Sequence, residues 1–262
     1  MSKGKQVETF NLFWTGGLDS TFRLVQLVLL HDVKVQPFYI IDTSRKSTLL
    51  ELVTMNKIKE LLLKKKPKIN ELLLPTIFKE KNDINRNKGI TESYYRINEM
   101  HKFGIQYEWL ARYCAEESLD NVEISLEMTL NSEDLVIRNI IGNDIQLIET
   151  QYGSYYTLNK VVKDKDISNV FGHFKFPLFD YTKLNKICES QKNGFDDVIN
   201  LTWFCHSPTR KGKPCGKCDP CQSAYKEGLT WRLPISAKLR YHTWPILRRI
   251  EKAFKIKQNL NT

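Results

Sequence analysis

Along this chain the apolar residues alternate between short strand-like runs and longer helical ones, a pattern that predicts an α/β protein built on a parallel sheet. Val7, Phe10, Leu12 and Phe13 read as a first strand, and the mostly apolar run from Thr21 to Leu30 reads as a buried helix. From Val33 to Ile41 polar and apolar positions first alternate and then become continuous, as in a parallel strand covered on both faces. Leu49 to Leu63 is periodic and flanked by lysines, which predicts a second helix; Ile69 to Ile77 reads as a third strand interrupted by Pro75. Gly104 opens a helix through Glu117 with Ile105, Trp109, Leu110, Tyr113 and Cys114 on or near one face. Asn121 to Glu127 alternates cleanly, with Val122, Ile124 and Leu126 on one side and Glu123, Ser125 and Glu127 on the other. Further on, Phe176-Pro177-Leu178 precedes Asp180, which is placed to cap a helix running to about Gln191.

Two stretches break this pattern. Residues 78–102 are polar, basic and poorly periodic, the mark of an insertion or mobile loop whose Tyr94, Tyr95 and Arg96 either stack on a ligand or pin the loop to the core. Leu135 to Val162 holds turns and strand-like pieces around Tyr-Gly-Ser-Tyr-Tyr at 152–156. The expected organisation is therefore one α/β domain over residues 1–200, with an insertion at about 78–102, and a smaller segment over 201–262.

Composition adds limits. With 262 residues, 41% of them hydrophobic and 27% charged, the chain has the make-up of a globular protein and enough length for a full core. No apolar run reaches the ~18 residues of a membrane helix. Met1-Ser2-Lys3-Gly4-Lys5 leads into no signal-peptide core, so the expectation is a cytoplasmic protein without a membrane partner. The net charge of +10 favours anionic partners, although lysine richness also follows from an AT-rich genome or from solubility. Near the C-terminus Ile246, Leu247, Ile250, Ala253 and Phe254 recur at helical spacing opposite Arg248, Arg249, Lys252, Lys255 and Lys257. Such a helix packs on its own domain or meets an acidic protein surface or RNA, with RNA ranked below protein.

The candidate chemistry begins at Thr15-Gly16-Gly17-Leu18-Asp19-Ser20-Thr21, between the first strand and its helix. Glycines without a β-carbon let the backbone turn tightly and gather N–H groups, Asp19 and Ser20 fall where a helix is capped, and the helix N-terminus adds a positive end. A plain strand-to-helix turn uses the same residues, and the Lys-Ser or GxGxxG of the commoner phosphate loops is missing. Asp42, Thr43, Ser44 and Arg45 follow the second strand at the edge where α/β sheets bind ligands, although Asp42 or Thr43 also suits a helix cap. Glu127 ends the fourth strand, where it would either accept the N–H donors of a purine-like ring or stay solvated. Lys183, in the first turns of its helix, opposes the helix dipole and is easier to understand beside an anion.

Four of the six cysteines form Cys205-x9-Cys215-x2-Cys218-x2-Cys221. Overlapping Cys-x2-Cys turns bring sulfurs to one point and Cys205 supplies a fourth corner, a donor set for structural zinc; four thiolates also suit an iron–sulfur cluster. Gly212, Pro214, Gly216 and Pro220 supply bends, and His206 is not needed as a ligand. A closed four-thiolate shell offers no open position, so its expected task is holding the C-terminal segment against the sheet. Cys114 and Cys188 lie outside the cluster and read as core.

The order Thr-Gly-Gly-x-Asp-Ser resembles the Ser-Gly-Gly-x-Asp-Ser PP-loop of the ATP pyrophosphatases, with Thr15 keeping the first hydroxyl. Together with Ser125 to Thr129, Pro177-Leu178-x4-Lys183 and the Leu201-Thr202-x2-Cys205 lead into Cys215-Gly216-x-Cys218-x2-Cys221, it resembles the 7-cyano-7-deazaguanine synthase (QueC) family over roughly half of the chain. The resemblance implies a Rossmann-like, adenine nucleotide alpha hydrolase-like sheet with a C-terminal zinc segment. It also implies a ligase that uses ATP and Mg²⁺ to adenylate 7-carboxy-7-deazaguanine, after which ammonia displaces AMP to give an amide that family members dehydrate to a nitrile. Thr15, Gly16, Gly17, Leu18, Asp19, Ser20 and Thr21, with Asp42 and Arg45, would hold the nucleotide; Asp19, Ser20 and Lys183 would assist catalysis, Glu127 would bind substrate, and the four cysteines Zn²⁺. The family's Tyr-Pro-Asp-Cys-Arg segment has no equivalent after Glu127, where this chain has Leu130-Asn131-Ser132-Glu133-Asp134. QueC-like proteins also occur in bacterial antiviral defence, and this basic, divergent chain resembles those, which implies an amine of a partner protein as an alternative acceptor; a homodimer is compatible with either. A tRNA-thiolating PP-loop enzyme using Cys114 or Cys188, and a non-catalytic nucleotide-binding subunit, are the competing readings.

Overall fold

In the computed structural model, which describes residues 8–128 and 133–244, the alternating pattern folds into a seven-stranded mixed sheet flanked by helices. The strands are β1 (Thr9–Phe13), β2 (Lys34–Ile41), β3 (Ile77–Glu80), β4 (Val122–Glu123), β5 (Ile145–Thr150), β6 (Gly153–Leu158) and β7 (Phe174–Phe176), in the order β3-β2-β1-β4-β7-β6-β5. Strands β3, β2, β1, β4 and β7 run parallel; β6 and β5 complete the sheet antiparallel. The helices are α1 (Leu18–Val25), α2 (Thr48–Lys65), α3 (Ile69–Leu72), α4 (Lys88–His101), α5 (Gln106–Glu116), α6 (Glu133–Ile141), α7 (Lys165–Phe171), α8 (Lys183–Lys192), α9 (Asp196–Leu201) and α10 (Asp219–Lys226). Two compact units result: Met1–Asp42 with Thr54–Thr202, which holds the whole sheet, and Thr43–Val53 with Trp203–Thr262. Val7, Leu130 to Ser132 and the basic stretch 246–257 lie outside the described residues.

Alternation along the strands sends side chains to two different helical layers. Phe13, Phe38, Ile40, Val122, Ile124, Leu126, Phe174 and Phe176 share one buried cluster with residues of α4, α5, α6 and α7. On the opposite face Leu12 stands in register with Glu123, and Arg23 of α1 grips that carboxylate through Nε and Nη2, both at 2.8 Å. Helix α1 packs in turn against α8 and α9. Glu123 of β4 therefore faces a covered side of the sheet rather than solvent, and because β4 is only two residues long, Glu127 does not end the strand as expected but lies buried in the chain beyond it.

Several expectations change. Residues 78–102 are mostly a capped helix: the Asn87 side chain accepts from the Ile90 N–H, and α4 buries Ile90, Ser93, Tyr94 and Ile97. That buried stripe is narrow and partly polar, which is why the stretch looks aperiodic in sequence. Tyr94 donates to the Phe103 carbonyl and Arg96 pairs with Asp166, so both hold this helical layer together. Ile69 opens a short helix, not a strand, and pairing with β2 is continuous only from Ile77. Pro37 and Pro75 flank the interruption, and the Pro75 carbonyl accepts from the Gln36 side chain instead of a ladder N–H. The stretch after Leu135 resolves into α6 and the β5–β6 hairpin. Thr182, not Asp180, caps α8 in a capping box with Asn185, while Asp180 accepts from the Tyr156 hydroxyl. Cys114 is core, but Cys188 is exposed.

The Arg23–Glu123 pair is buried on both sides, so removing one partner strands a charge. Arg23→Ala is expected to lower unfolding stability by about 3–5 kcal/mol in a urea titration, and the double variant Arg23→Met with Glu123→Leu to regain most of it. A single variant as stable as the parent would contradict this assignment.

Candidate active site and metal centre

The turn after β1 is shaped by one residue in the left-handed region, Gly16, at φ +70°. Gly17 is the N-cap of α1 and contributes no side chain, so Leu18, Asp19 and Ser20 form the helix's first turn; neither Asp19 nor Ser20 is the cap expected from sequence. Their N–H groups have no intrahelical acceptor, which leaves a row of donors at the positive end of the helix. Ser20 and Thr15 brace the turn from within: the Thr15 N–H lies 3.4 Å from Ser20 Oγ and the Gly17 N–H 3.4 Å from Thr15 Oγ1. The Thr21 hydroxyl accepts from the buried Trp14 indole N–H at 3.0 Å and Leu18 is buried, so these two residues fix the loop rather than offer side chains to a ligand.

Strand order places this loop at a switch point. From β1 the parallel connection leads to β2 on one side while β4 lies on the other, and ligands of open α/β sheets bind beyond the strand ends at such a divide. A cavity of about 200 Å³ opens there, lined by Thr15, Gly17, Asp19 and Ser20 of the loop, by Ser125 beyond β4, and by Tyr107 of α5 among others. Ser125 Oγ is buried with no hydrogen-bond partner among the described residues. A buried hydroxyl left unsatisfied costs about 1–3 kcal/mol, so this one is a group that a polar atom entering the cavity, of a ligand or of water, would satisfy.

Behind Asp19 stands a cluster of four charges. Lys186, fully buried on α8, donates to both Asp19 and Glu127, and Lys183 reaches Glu127 at 2.6 Å from the first position of the same helix. Burial opposes the charge on Asp19, but Lys186 and Lys183 outweigh it and hold its carboxyl below the usual carboxylate range. Burial and the neighbouring Asp19 charge push Glu127 up, against the pull of both lysines. Burial likewise works against the Lys186 ammonium, yet the two carboxylates prevail and raise it.

The structure thus brings together Asp19, Glu127 and Lys183 and adds Lys186, which is not among the residues expected from sequence. Its one available signal was the three-residue spacing from Lys183, which puts both ammonium groups on one helix face. Hydrophobicity pointed elsewhere: α8 buries Lys186 and Ser190, whereas Leu184 is exposed. Asp42, at the end of β2, takes the Lys81 ammonium at 2.7 Å, and Arg45 belongs to the other unit, where it pairs with Glu51 at 3.2 Å. Neither lines the cavity.

In the second unit the sulfurs of Cys205, Cys215, Cys218 and Cys221 all lie within 4.8 Å of one another. Cys215 and Cys221 stand 3.9 Å apart and Cys205 and Cys218 3.8 Å, matching the roughly 3.8 Å edge of a tetrahedron with Zn–S bonds near 2.3 Å. N–H groups of Cys215, Lys217 and Cys218 point at Cys205 or Cys215 sulfur at 3.2–3.3 Å, as around metal-bound thiolates. Gly216 is held at φ +76°, where a β-carbon would come within 2.1 Å of the Ala237 carbonyl oxygen. Cys218 caps α10, whose second residue is Pro220, and Arg240 ties the turn to helical residues 235–244 by donating to the Cys215 and Pro214 carbonyls. The donor set fits zinc and shows no open position.

Fold and site together define a Rossmann-like α/β protein with a glycine loop at the sheet's switch point and a separate four-cysteine centre. Residues 155–230 match the family model described as Queuosine biosynthesis protein QueC. That stretch is less than a third of the chain; it runs from β6 through α10 and includes Lys183, Lys186 and all four cysteines, while the glycine loop and Glu127 lie before it. The match supports an ATP-utilising enzyme of the QueC kind. No curated protein matches the chain. No helix among the described residues is long and apolar enough to cross a membrane.

Two outcomes test this geometry. Asp19's charge contributes stability above the ordinary carboxylate range that is lost as pH falls, and that of Lys186 contributes below the ordinary ammonium range and is lost as pH climbs past it. Lys186→Met leaves two buried carboxylates facing Lys183 alone, which raises their pKa values in the folded state. Its deficit in Tm against the parent is therefore expected to be largest at neutral pH and to shrink on acidification; a deficit independent of pH would contradict the cluster. For the cysteines, Cys218→Ser is expected to lose bound zinc, measured by elemental analysis, together with soluble yield, whereas unchanged metal content would exclude it as a ligand.

Proposed function

We propose that this chain activates a carboxylate with ATP, as a ligase of the QueC kind acting on 7-carboxy-7-deazaguanine or a close relative. A carboxylate oxygen attacks the α-phosphorus, pyrophosphate leaves, and an amine then displaces AMP from the acyl carbon. The observation that carries this reading is the unsatisfied Ser125 hydroxyl in a cavity that also borders the unblocked N-terminus of α1 and Asp19. Free N–H donors at a helix start stabilise the charge that develops on departing pyrophosphate, so catalysis here needs positioning and electrostatics and no protein nucleophile. Asp19 is the one carboxylate among the described residues lining the cavity and is the group to hold Mg²⁺ beside the phosphates. Lys183, partly exposed, can reach an anionic ligand, whereas Lys186 is sealed and positions Asp19 and Glu127. Glu127 then stands next to Leu126 of the cavity wall as the acceptor for ring N–H donors. At about 200 Å³ the cavity is smaller than the ~300–1,000 Å³ of most ligand pockets, so it takes one part of a nucleotide and the remainder lies outside it.

The amine is ammonia, with dehydration to a nitrile as a further stage, or an amine of a partner protein, as the likeness to antiviral QueC-like proteins implies. Zn²⁺ at the four cysteines has a structural role in either case, and reduced thiolates fit a cytoplasmic setting. A thiolation chemistry, which calls for a cysteine pair apart from the metal centre, is poorly supplied: Cys114 sits in the core, where burial pushes its thiol up and away from the thiolate form, which leaves exposed Cys188 alone.

AMP and pyrophosphate released from ATP, 7-carboxy-7-deazaguanine and ammonia, or a co-encoded protein, measure the reaction. Asp19→Asn is expected to lower that release by on the order of 100-fold, and also to lower Tm because it takes a charge from buried Lys186, so the assay is run below the variant's own Tm, where circular dichroism shows it folded. Ser125→Ala should stabilise the ligand-free protein by about 1 kcal/mol while weakening ATP binding, because it removes an unpaired buried hydroxyl that the ligand would satisfy. A Ser125→Ala protein with lower stability and undiminished ATP affinity would contradict the site.

A further inference from the structure

The positive charge of this protein is not spread over it. The unit formed by Thr43–Val53 and Trp203–Thr262 contains 15 Lys and Arg against 4 Asp and Glu, a net +11, whereas the sheet-bearing unit has 25 against 26, a net −1. A general lysine bias or a demand for solubility would load both units; here the sheet-bearing unit, rich in lysine as it is, matches each cation with an acid. Charge concentrated in one small unit is the electrostatic footprint of a polyanion site.

The side chains around the cysteine centre say which polyanion. The segment between Cys205 and Cys215 turns back on Thr209, whose N–H donates to the Lys213 carbonyl and whose carbonyl accepts from Gly212, and this turn presents Arg210, Lys211 and Lys213 to solvent. Beside it lies a cavity of about 450 Å³ lined by Ser207, Thr209, Lys217, Arg240 and Trp244 as well as Cys215 and Cys218, with no Asp or Glu among the described residues of its wall. Elsewhere in this unit too cations lie over aromatic rings: the Lys217 ammonium of the cavity wall is 4.1 Å from the Trp244 ring centre, and the Arg232 guanidinium, outside that wall, is 4.7 Å from Phe204 and 5.9 Å from Trp231. Trp231 is 53% exposed. An acidic protein surface asks for cations alone; exposed rings set among cations and hydroxyls supply stacking platforms beside phosphate contacts.

We infer that the cysteine-centred unit binds single-stranded nucleic acid, its basic turn tracking the phosphate backbone while Trp231 stacks on a base. This does not rest on the ligase reading, since every residue involved lies outside the sheet-bearing unit.

The test uses the full chain, holding its metal, and a fluorescent single-stranded RNA or DNA 20-mer, with anisotropy read across a salt series. Binding should weaken linearly in log–log form. The triple variant Arg210→Ala, Lys211→Ala, Lys213→Ala should reduce the slope by about 2, at roughly 0.7 per phosphate contact. Trp231→Ala should weaken binding about tenfold. The matched triple Lys57→Ala, Lys64→Ala, Lys68→Ala, exposed lysines of the other unit, should change affinity by less than twofold. Equal loss from both triples would overturn the assignment in favour of non-specific charge. Competition by poly-glutamate as effective as by oligonucleotide, with Trp231→Ala silent, would overturn it in favour of an acidic protein partner.

Discussion

A lysine with no exposure to water, held between two carboxylates from distant parts of the chain, is the constraint on which the candidate site depends. Lys186 brings α8 against both the first turn of α1 and the chain beyond β4. An ammonium in that position is tolerable only beside an ionised partner, and an ionised carboxylate is tolerable there only with the ammonium. The cluster therefore fixes charge and geometry together. It sets Asp19 at the cavity edge as a carboxylate, with Lys186 sealed behind it and Lys183 partly exposed on the far side of Glu127.

The sheet makes that meeting possible. Parallel strands β1 and β4 deliver their C-terminal ends side by side, the glycine turn opens α1 directly above them, and the Met128 N–H donates to the Tyr181 carbonyl, tying the chain beyond β4 to the approach of α8. On the same face the Arg23–Glu123 pair anchors α1 to β4. Two buried ion clusters thus fix one helix at both ends of its first two turns. Such placement is a poor source of net stability but a strict selector of one arrangement, which is what a site built from electrostatics and positioning requires.

What could be read in the sequence was what is local. The β1–glycine–α1 unit and the four cysteines declare themselves because a left-handed glycine or a Cys-x2-Cys turn is a constraint between neighbours in the chain. Helix α4 was illegible because its buried stripe is narrow and interrupted by Ser93, and α3 because its short apolar run, ahead of Pro75, reads equally well as strand. Lys186 was illegible for a deeper reason. Its partner Asp19 lies 167 residues away, and its helix inverts the usual rule by burying lysine and serine while leaving Leu184 in solvent. Ser125 carries no local signal, because what sets its hydroxyl apart is a cavity formed by distant parts of the chain. The cap of α8 shows the same limit at short range: Asp180 and Thr182 are both good caps, and only the chain path from Leu178 selects the threonine.

The two units carry different physics, one nearly neutral with paired charges around a cavity, the other strongly basic around a metal-type centre. The central claim concerns the first. It is tested most directly by a crystal structure of the protein with a non-hydrolysable ATP analogue and Mg²⁺. The account predicts phosphate oxygens within hydrogen-bond distance of the Leu18, Asp19 and Ser20 N–H groups, a polar ligand atom on Ser125 Oγ, and Lys186 still between Asp19 and Glu127. A nucleotide bound elsewhere, with the α1 N-terminus and Ser125 left as they are, would contradict it.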